Sequence, residues 1–192
     1  MTDRAEENAE KYASLALKHD DNSPTALSLL ASIRLSQTRN VDAISLLEQS
    51  VSKWYGKPDV PKPSYPERIN LVKLLLEVGL YENALEVLET LQLEEEENVE
   101  LWYLYMCAYY HHAGDAREET WKNAMECGET CLKLYKKMEW DDEELRKSCQ
   151  EMLGEIRKSG ISINNEEEGE EEIDDGEWED DSDVDVEMED AT

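Results

Sequence analysis

"INLVKLLLEVGLYENALEVLETL", residues 69–91, decides how this chain reads. Ile69, Val72 and Leu76 fall on one helix face, and Ala84, Leu88 and Leu91 on another. Gly79 stands between the two stripes, where a helix stops and the chain turns. Such a segment is a hairpin of two amphipathic helices. Its small residue, Ala84, lets one helix approach its partner, and the large apolar side chains fill the space around the contact.

The same design extends in both directions. Upstream, "ALKHDDNSPTALSLLASIRLSQTRNVDAISLLEQSV" at 16–51 places Ala31 and Ala43 twelve residues apart, with Leu47 four residues after Ala43. Ala43, Leu47, Val51 and Trp54 form one stripe. Ala9, Tyr12, Ala13, Ala16 and Leu17 form an earlier one. Downstream come Trp102, Tyr105, Met106 and Tyr109, then Trp121, Ala124, Gly128, Cys131 and Tyr135, then Leu145, Cys149, Met152 and Ile156. Trp102 follows Ala84 by eighteen residues. The offsets resemble the tetratricopeptide pattern of paired helices. The expected fold class is therefore all-α, a tetratricopeptide-repeat helical solenoid over residues 1–159. About three and a half helix pairs are expected, with 141–158 as a capping helix. Each pair is too short to bury its own face, so neighbours share a core and leave a concave surface for binding.

Punctuation agrees with that reading. "DDNSP" at 20–24 offers a cap followed by proline at a helix start. "HHAGDA" at 111–116 places Gly114 at another turn, and an irregular loop is expected between Gly114 and Ala124. "KPDVPKPSYP" at 57–66 holds four of the five prolines. It should be a semi-rigid connector separating an N-terminal from a C-terminal group of helices. Asp141 or Asp142 is available as N-cap of the last helix.

Charge narrows the function. The net charge is −29 over 192 residues, and residues 166–190 carry 17 acids and no base. Residues 1–165 carry 31 acids against 19 bases. Direct nucleic acid binding is disfavoured, because it starts from a basic patch. A basic protein is the natural partner for such a field. Residues 160–192 cannot collapse and are expected to be a disordered acidic tail. Ser182 lies in "EDDSDVD", which resembles an acid-directed kinase site. The start "MTDRAEENAEK" has no apolar targeting core. The longest apolar run, "LWYLYMCAYY" at 101–110, is half of what a membrane span of about 20 residues needs. A monomer is expected, with no membrane partner.

No phosphate loop, G-x-G-x-x-G, G-x-S-x-G or H-E-x-x-H occurs, so no enzyme and no cofactor are expected. Cys107 and His111 are four residues apart, as are Cys127 and Cys131, and each pair would share a helix face as soft metal ligands. The alternative is that Cys127 and Cys131 are small packing residues, and on that reading no metal is expected. The four cysteines show no C-x-x-C and read as reduced thiols of an intracellular protein. In the aromatic run, Trp102, Tyr105 and Tyr109 should face the core, while Tyr103, Tyr110 and His111 face the groove. The acids Glu94 to Glu97 are either a solvated loop or an anionic rim.

Many tetratricopeptide proteins clamp the acidic tail of heat-shock chaperones with Lys, Asn and Arg. The matching places here are Ser28, Ser32, Asn70, Glu100 and Leu104. Only Asn70 fits, and Glu100 has the wrong sign. A generic co-chaperone or scaffold binding another basic protein or a heat-shock chaperone tail is the alternative reading. "RINLVKLLLEVGLYENALEVLE" (68–89), "VELWYLYMCAYY" (99–110) and "CLKLYKKMEWDDEELRK" (131–147) are more specific. Through them residues 66–157 resemble the dedicated assembly chaperones of the fourth protein of the large ribosomal subunit. The resemblance implies a non-enzymatic protein of cytoplasm and nucleus. It implies binding of a newly made basic ribosomal protein on its long internal loop until that protein joins the pre-ribosome. The chain is shorter than the better-known members, with fewer repeats before the specific block. Candidate groove residues for such a client are Asn70, Glu77, Glu100, Tyr103, Tyr110 and His111. Lys73 lies among them and needs an acidic partner, either on the client or from a neighbouring Glu.

Overall fold

The computed structural model describes residues 3–112 and 117–161. Among these the regular elements are all helices: α1 (Asp3–His19), α2 (Pro24–Ser36), α3 (Asn40–Trp54), α4 (Tyr65–Glu77), α5 (Tyr81–Gln92), α6 (Val99–His111), α7 (Arg117–Lys137) and α8 (Glu143–Lys158). The acidic tail with Ser182, and the turn at Gly114, lie outside the described residues. None of the described helices is long and apolar enough to cross a membrane.

Local chemistry sets the helix ends. Ser23 caps α2 by accepting from the Ala26 N–H at 3.3 Å, with Pro24 as the first helical residue. Asn98 and Asp142 cap α6 and α8 in the same way, accepting from Leu101 and Leu145. Such a cap stabilises a helix by about 1 kcal/mol. The α2–α3 and α4–α5 turns are built alike. Thr38 (φ 58°) and Gly79 (φ 79°) take the left-handed conformation. The following N–H closes onto the carbonyl five residues back, Arg39 to Arg34 at 2.8 Å and Leu80 to Leu75 at 2.9 Å. This bonding satisfies otherwise orphaned carbonyls at the helix end and turns the chain into a hairpin.

Helices α2, α4 and α6 are the leading helices of successive hairpins. They begin at residues 24, 65 and 99, which are 41 and 34 residues apart. The surplus in the first interval lies in the proline-rich connector. Ala43 and Ala84 occupy equivalent places on the trailing helices α3 and α5, and both are fully buried. The leading helices lie side by side, α2 on α4, α4 on α6 and α6 on α8, and α3 meets α5 behind them. One main core runs from Ala31 and Leu47 through Leu75, Leu88 and Met106 to Ile156. The connector therefore does not divide the helices into two groups: α2 and α3 both pack on α4 across it.

Two buried details hold the stack. Arg68 is 1 % exposed and every guanidinium N–H finds an acceptor. Its Nε donates to Pro63 O at 3.0 Å, Nη1 to Thr90 O and Oγ1, and Nη2 to both oxygens of Glu94 at 2.8 and 2.7 Å. Lys62 also pairs with Glu94. Arg68 thus joins the connector, α4 and the end of α5. At Gly128, an added Cβ would meet Met106 Sδ at 2.7 Å and Leu153 Cδ2 at 3.1 Å. The bare backbone there lets α6, α7 and α8 close on one another.

Several expectations change. Helix α7 starts at Arg117, so most of the interval expected to be a loop before Ala124 is helical. Its acids Glu118 and Glu119 lie in the first turn, where they complement the helix dipole. Ala13 is buried, but Tyr12 of the same stripe is 68 % exposed. The cause is that α1 packs on α2 alone and has no second neighbour. Tyr105 and Met106 are buried as expected, whereas Trp102 and Tyr109 are only half-buried.

Candidate functional site

A groove of about 410 Å³ runs between leading helices α2 and α4. Leu29 and Leu74 provide its apolar walls. Leu29 is 52 % exposed, because it faces away from the buried stripe Leu27, Leu30 and Ile33. Ser32 and Asn70 line the groove with polar groups that make no hydrogen bond within the described residues. Ser28 is committed elsewhere, donating to Pro24 O at 3.0 Å and sharing a 2.9 Å contact with Ser50. Glu67 lies at the Pro63 end, where the Ser64 N–H and hydroxyl donate to it at 2.8 and 2.7 Å and Thr25 donates at 3.0 Å. Those donors, the Ser64 hydroxyl first, hold its carboxyl below the usual range. Lys73 lies on the same wall and reaches across to α6, pairing with Glu100 at 2.7 Å. The neighbouring Glu therefore partners Lys73, one of the two arrangements expected for it.

The groove is close to electrically neutral, with Glu67 and Lys73 its charged members. The chain as a whole carries a net charge of −29, yet the one acid lining this groove is matched by donors. Glu77, exposed at the end of α4, has no ion-pair partner among the described residues. An extended peptide in this groove would meet free amide and hydroxyl groups for its backbone and leucine surface for its side chains. A mainly apolar trough with a few convergent polar groups has the general character of a ligand-binding cleft.

The other candidate residues lie further along the stack. Tyr103 and Tyr110 are half-buried and bridge α6 to α8. The Tyr103 hydroxyl meets Ser148 Oγ at 2.9 Å, and the Tyr110 hydroxyl donates to Glu155. Equal spacing of these two contacts makes α6 and α8 parallel neighbours. Burial pushes Tyr103 up to about 12. Tyr110 is raised by its bond to Glu155 and then by burial, and its ring stacks on Trp121 at 5.3 Å. Both hydroxyls are thus occupied within the fold. His111 is exposed, stacked on Tyr81 at 6.1 Å and edge-on to Tyr110 at 5.1 Å. The structure therefore splits the six candidates. Asn70 lines the groove, Glu77 and Glu100 lie beside it on α4 and α6, and the two tyrosines and His111 sit toward α8 and the α5 end.

Leu104, one of the places matched to a heat-shock clamp, is 5 % exposed and cannot reach a ligand. In the acid run, Glu94 pins Arg68, Glu97 pairs with Lys137 at 2.5 Å, and the Glu96 carbonyl accepts from Trp102 Nε1 at 2.7 Å. Sequence reasoning missed Arg68. Its signal was position: it stands 34 residues before Trp102, at the matching place on the leading helix of the preceding hairpin. Leu29 was also missed, and its break from the helical stripe was the sign.

The cysteines pack. Cys131 Sγ donates to Val99 O at 3.5 Å, and Cys149 lies against Met106 Sδ and Gly128 O, each at 3.5 Å. Burial pushes Cys107 up to about 11 and Cys127 up to about 12. No group of three or more His, Cys, Asp or Glu comes together to hold a metal among the described residues.

No family model matches the chain. It is similar to a protein of Schizosaccharomyces pombe named probable assembly chaperone of rpl4. The two are 36 % identical over 192 residues, covering 93 % of this chain and 56 % of that protein. A protein of Emericella nidulans with the same name is 33 % identical over 194 residues, covering 91 % of this chain and 50 % of its own length. The chain spans about half the length of these curated relatives. The similarity extends beyond residues 66–157 to nearly the whole chain. Among solved structures, one titled MamA RS-1 ArsTM double mutant superposes with a TM-score of 0.49 at 16 % identity, covering 82 % of this chain and 88 % of that one.

Proposed function

We propose that this chain is a non-enzymatic, dedicated chaperone of a newly made basic ribosomal protein of the large subunit. It would hold that protein's extended internal loop until the protein joins the pre-ribosome, working in cytoplasm and nucleus. The observation that carries the reading is the similarity to two proteins named probable assembly chaperone of rpl4.

Physical chemistry supports it. A strongly cationic loop has no fold until RNA neutralises it, and alone it binds any polyanion. An acidic protein raises its local concentration and steers it by charge. Here the α2–α4 groove grips backbone and apolar side chains, with Asn70 and Ser32 as hydrogen-bond partners. Glu77 and Glu100 take client cations beside it, Glu100 by exchanging Lys73 for a client lysine or arginine. Tyr103, Tyr110 and His111 add aromatic surface where the client passes α6. The 17 acids of residues 166–190 cover client charge beyond the reach of the groove.

The test is binding of a synthetic loop from a basic large-subunit ribosomal protein, followed by fluorescence anisotropy at increasing salt. Saturable one-to-one binding is expected. Asn70→Arg with Glu77→Lys should weaken it about tenfold, the size of two unfavourable rim charges. Failure to bind any such loop at low salt, or equal binding by that variant, overturns the reading.

A further inference from the structure

The last hairpin leaves open a second groove, of about 710 Å³, between α7 and α8. Leu132, Tyr135, Leu153 and Gly154 make its apolar floor, and Trp140 stands at its edge, 40 % exposed. Lys133 and Lys136 line it and have no acidic partner among the described residues. Arg146 and Arg157 line it too. Each keeps one surface glutamate, Glu143 and Glu129, and the Arg146 Nε–H has no acceptor among the described residues. Lys133 and Lys136 are thus unpaired cations on its wall, while Glu129 and Glu143 offset the two arginines, Glu139 lines the rim, and Asp141 and Asp142 stand near Tyr135.

The way the chain leaves α8 selects the occupant. Gly160 takes φ 85°, and the N–H groups of Ser159 and Gly160 close onto Glu155 O and Arg157 O. Ile161 then packs half-buried against the main core. The backbone therefore turns back onto the bundle at the Arg157 end of the groove. Residues 166–190, with 17 acids and no base, follow after four intervening residues. Those 25 residues can span roughly 80 Å extended, while α8 is about 24 Å long. They also bring Ile173 and Trp178, apolar groups to match the floor and Trp140.

We propose that the acidic segment 166–190 docks in cis into the α7–α8 groove, its carboxylates on Lys133, Lys136, Arg146 and Arg157. The segment then holds its charge against its own protein until a more cationic strand draws it away; only that last step rests on the proposed function. The test uses the full chain without any client. Zero-length carbodiimide coupling joins a lysine amine to a carboxylate only where they touch, and a mixture of nitrogen-15-labelled and unlabelled protein separates intramolecular from intermolecular products. Lys133 and Lys136 are expected to couple to 166–190 within one molecule, at least about threefold more than the exposed Lys11, Lys18 and Lys147. The coupling should vanish near 1 M salt, where the screening length is ~3 Å. Even coupling across all exposed lysines, or coupling that survives high salt, overturns the proposal. Predominantly mixed-isotope products also overturn it, because they put a second copy in the groove.

Discussion

Glu94→Gln removes the charge opposite Arg68 while keeping the shape, and its effect follows from the geometry. Arg68 is 1 % exposed on its side chain and Glu94 is 35 % exposed. Breaking a wholly buried pair costs about 3–5 kcal/mol, because the surviving charge is left uncompensated. Solvent reaches Glu94, so screening brings the expected loss to about 2 kcal/mol. For a domain of this size that is a fall in Tm of roughly 4–8 °C. Urea and thermal melts followed by circular dichroism measure it. pH provides a second handle. The Lys62 bond and then Arg68 hold the Glu94 carboxyl below its ordinary value of 4.5, against the opposing pull of burial. A carboxyl lowered on folding stabilises above the unfolded value and loses that contribution as pH falls through the folded one. The gap between parent and Glu94→Gln should therefore be complete at pH 7 and close as the pH drops below 4.5. In the double variant with Arg68→Met, the penalty of Glu94→Gln should shrink, because no buried charge remains to be stranded. A single-variant loss under about 0.5 kcal/mol, or a gap indifferent to pH, would refute the account of this pair.

Other perturbations probe separate links. Thr38→Gly should stabilise by about 1 kcal/mol, since glycine adopts the left-handed turn without a Cβ penalty, and urea melts would register it. Gly154→Ala, with no neighbour within 4 Å of the added carbon, should gain up to about 1 kcal/mol of helix propensity. Gly128→Val should lose about 1–3 kcal/mol by overpacking against Met106 and Leu153; side-by-side melts should show opposite signs. Arg34 and Gln37 hold the Glu10 carboxyl down at about 2. The tie between α1 and α2 should therefore persist above 4.5 and fail as pH falls from there toward 2. Amide exchange should show α1 loosening before α4–α6 in that window.

The helix inventory was legible because apolar side chains recur with helical period, and the ends because Ser23, Gly79 and Asp142 have few other uses. What sequence obscured was tertiary. The connector holds four prolines in ten residues and reads as a spacer, yet the Arg68 guanidinium fastens its Pro63 carbonyl to α5. The start of α7 is polar and has no stripe before Trp121, so packing against α6 rather than periodicity decides it. In the candidate site, the types of Asn70 and Glu77 pointed to exposed positions. The partners of Tyr103 and Tyr110 come from α8, 45 residues away, and no local pattern announces them.

The unequal intervals of 41 and 34 residues between leading helices have a practical reading. Extra chain between the first two hairpins has been absorbed at the surface, with the helices on either side still in register and their contacts intact. The stack thus contains a natural splice point, just after Gly56 and well before Pro63. A fluorophore, an affinity tag or a short foreign peptide inserted there should leave both grooves undisturbed and report on each from a fixed vantage.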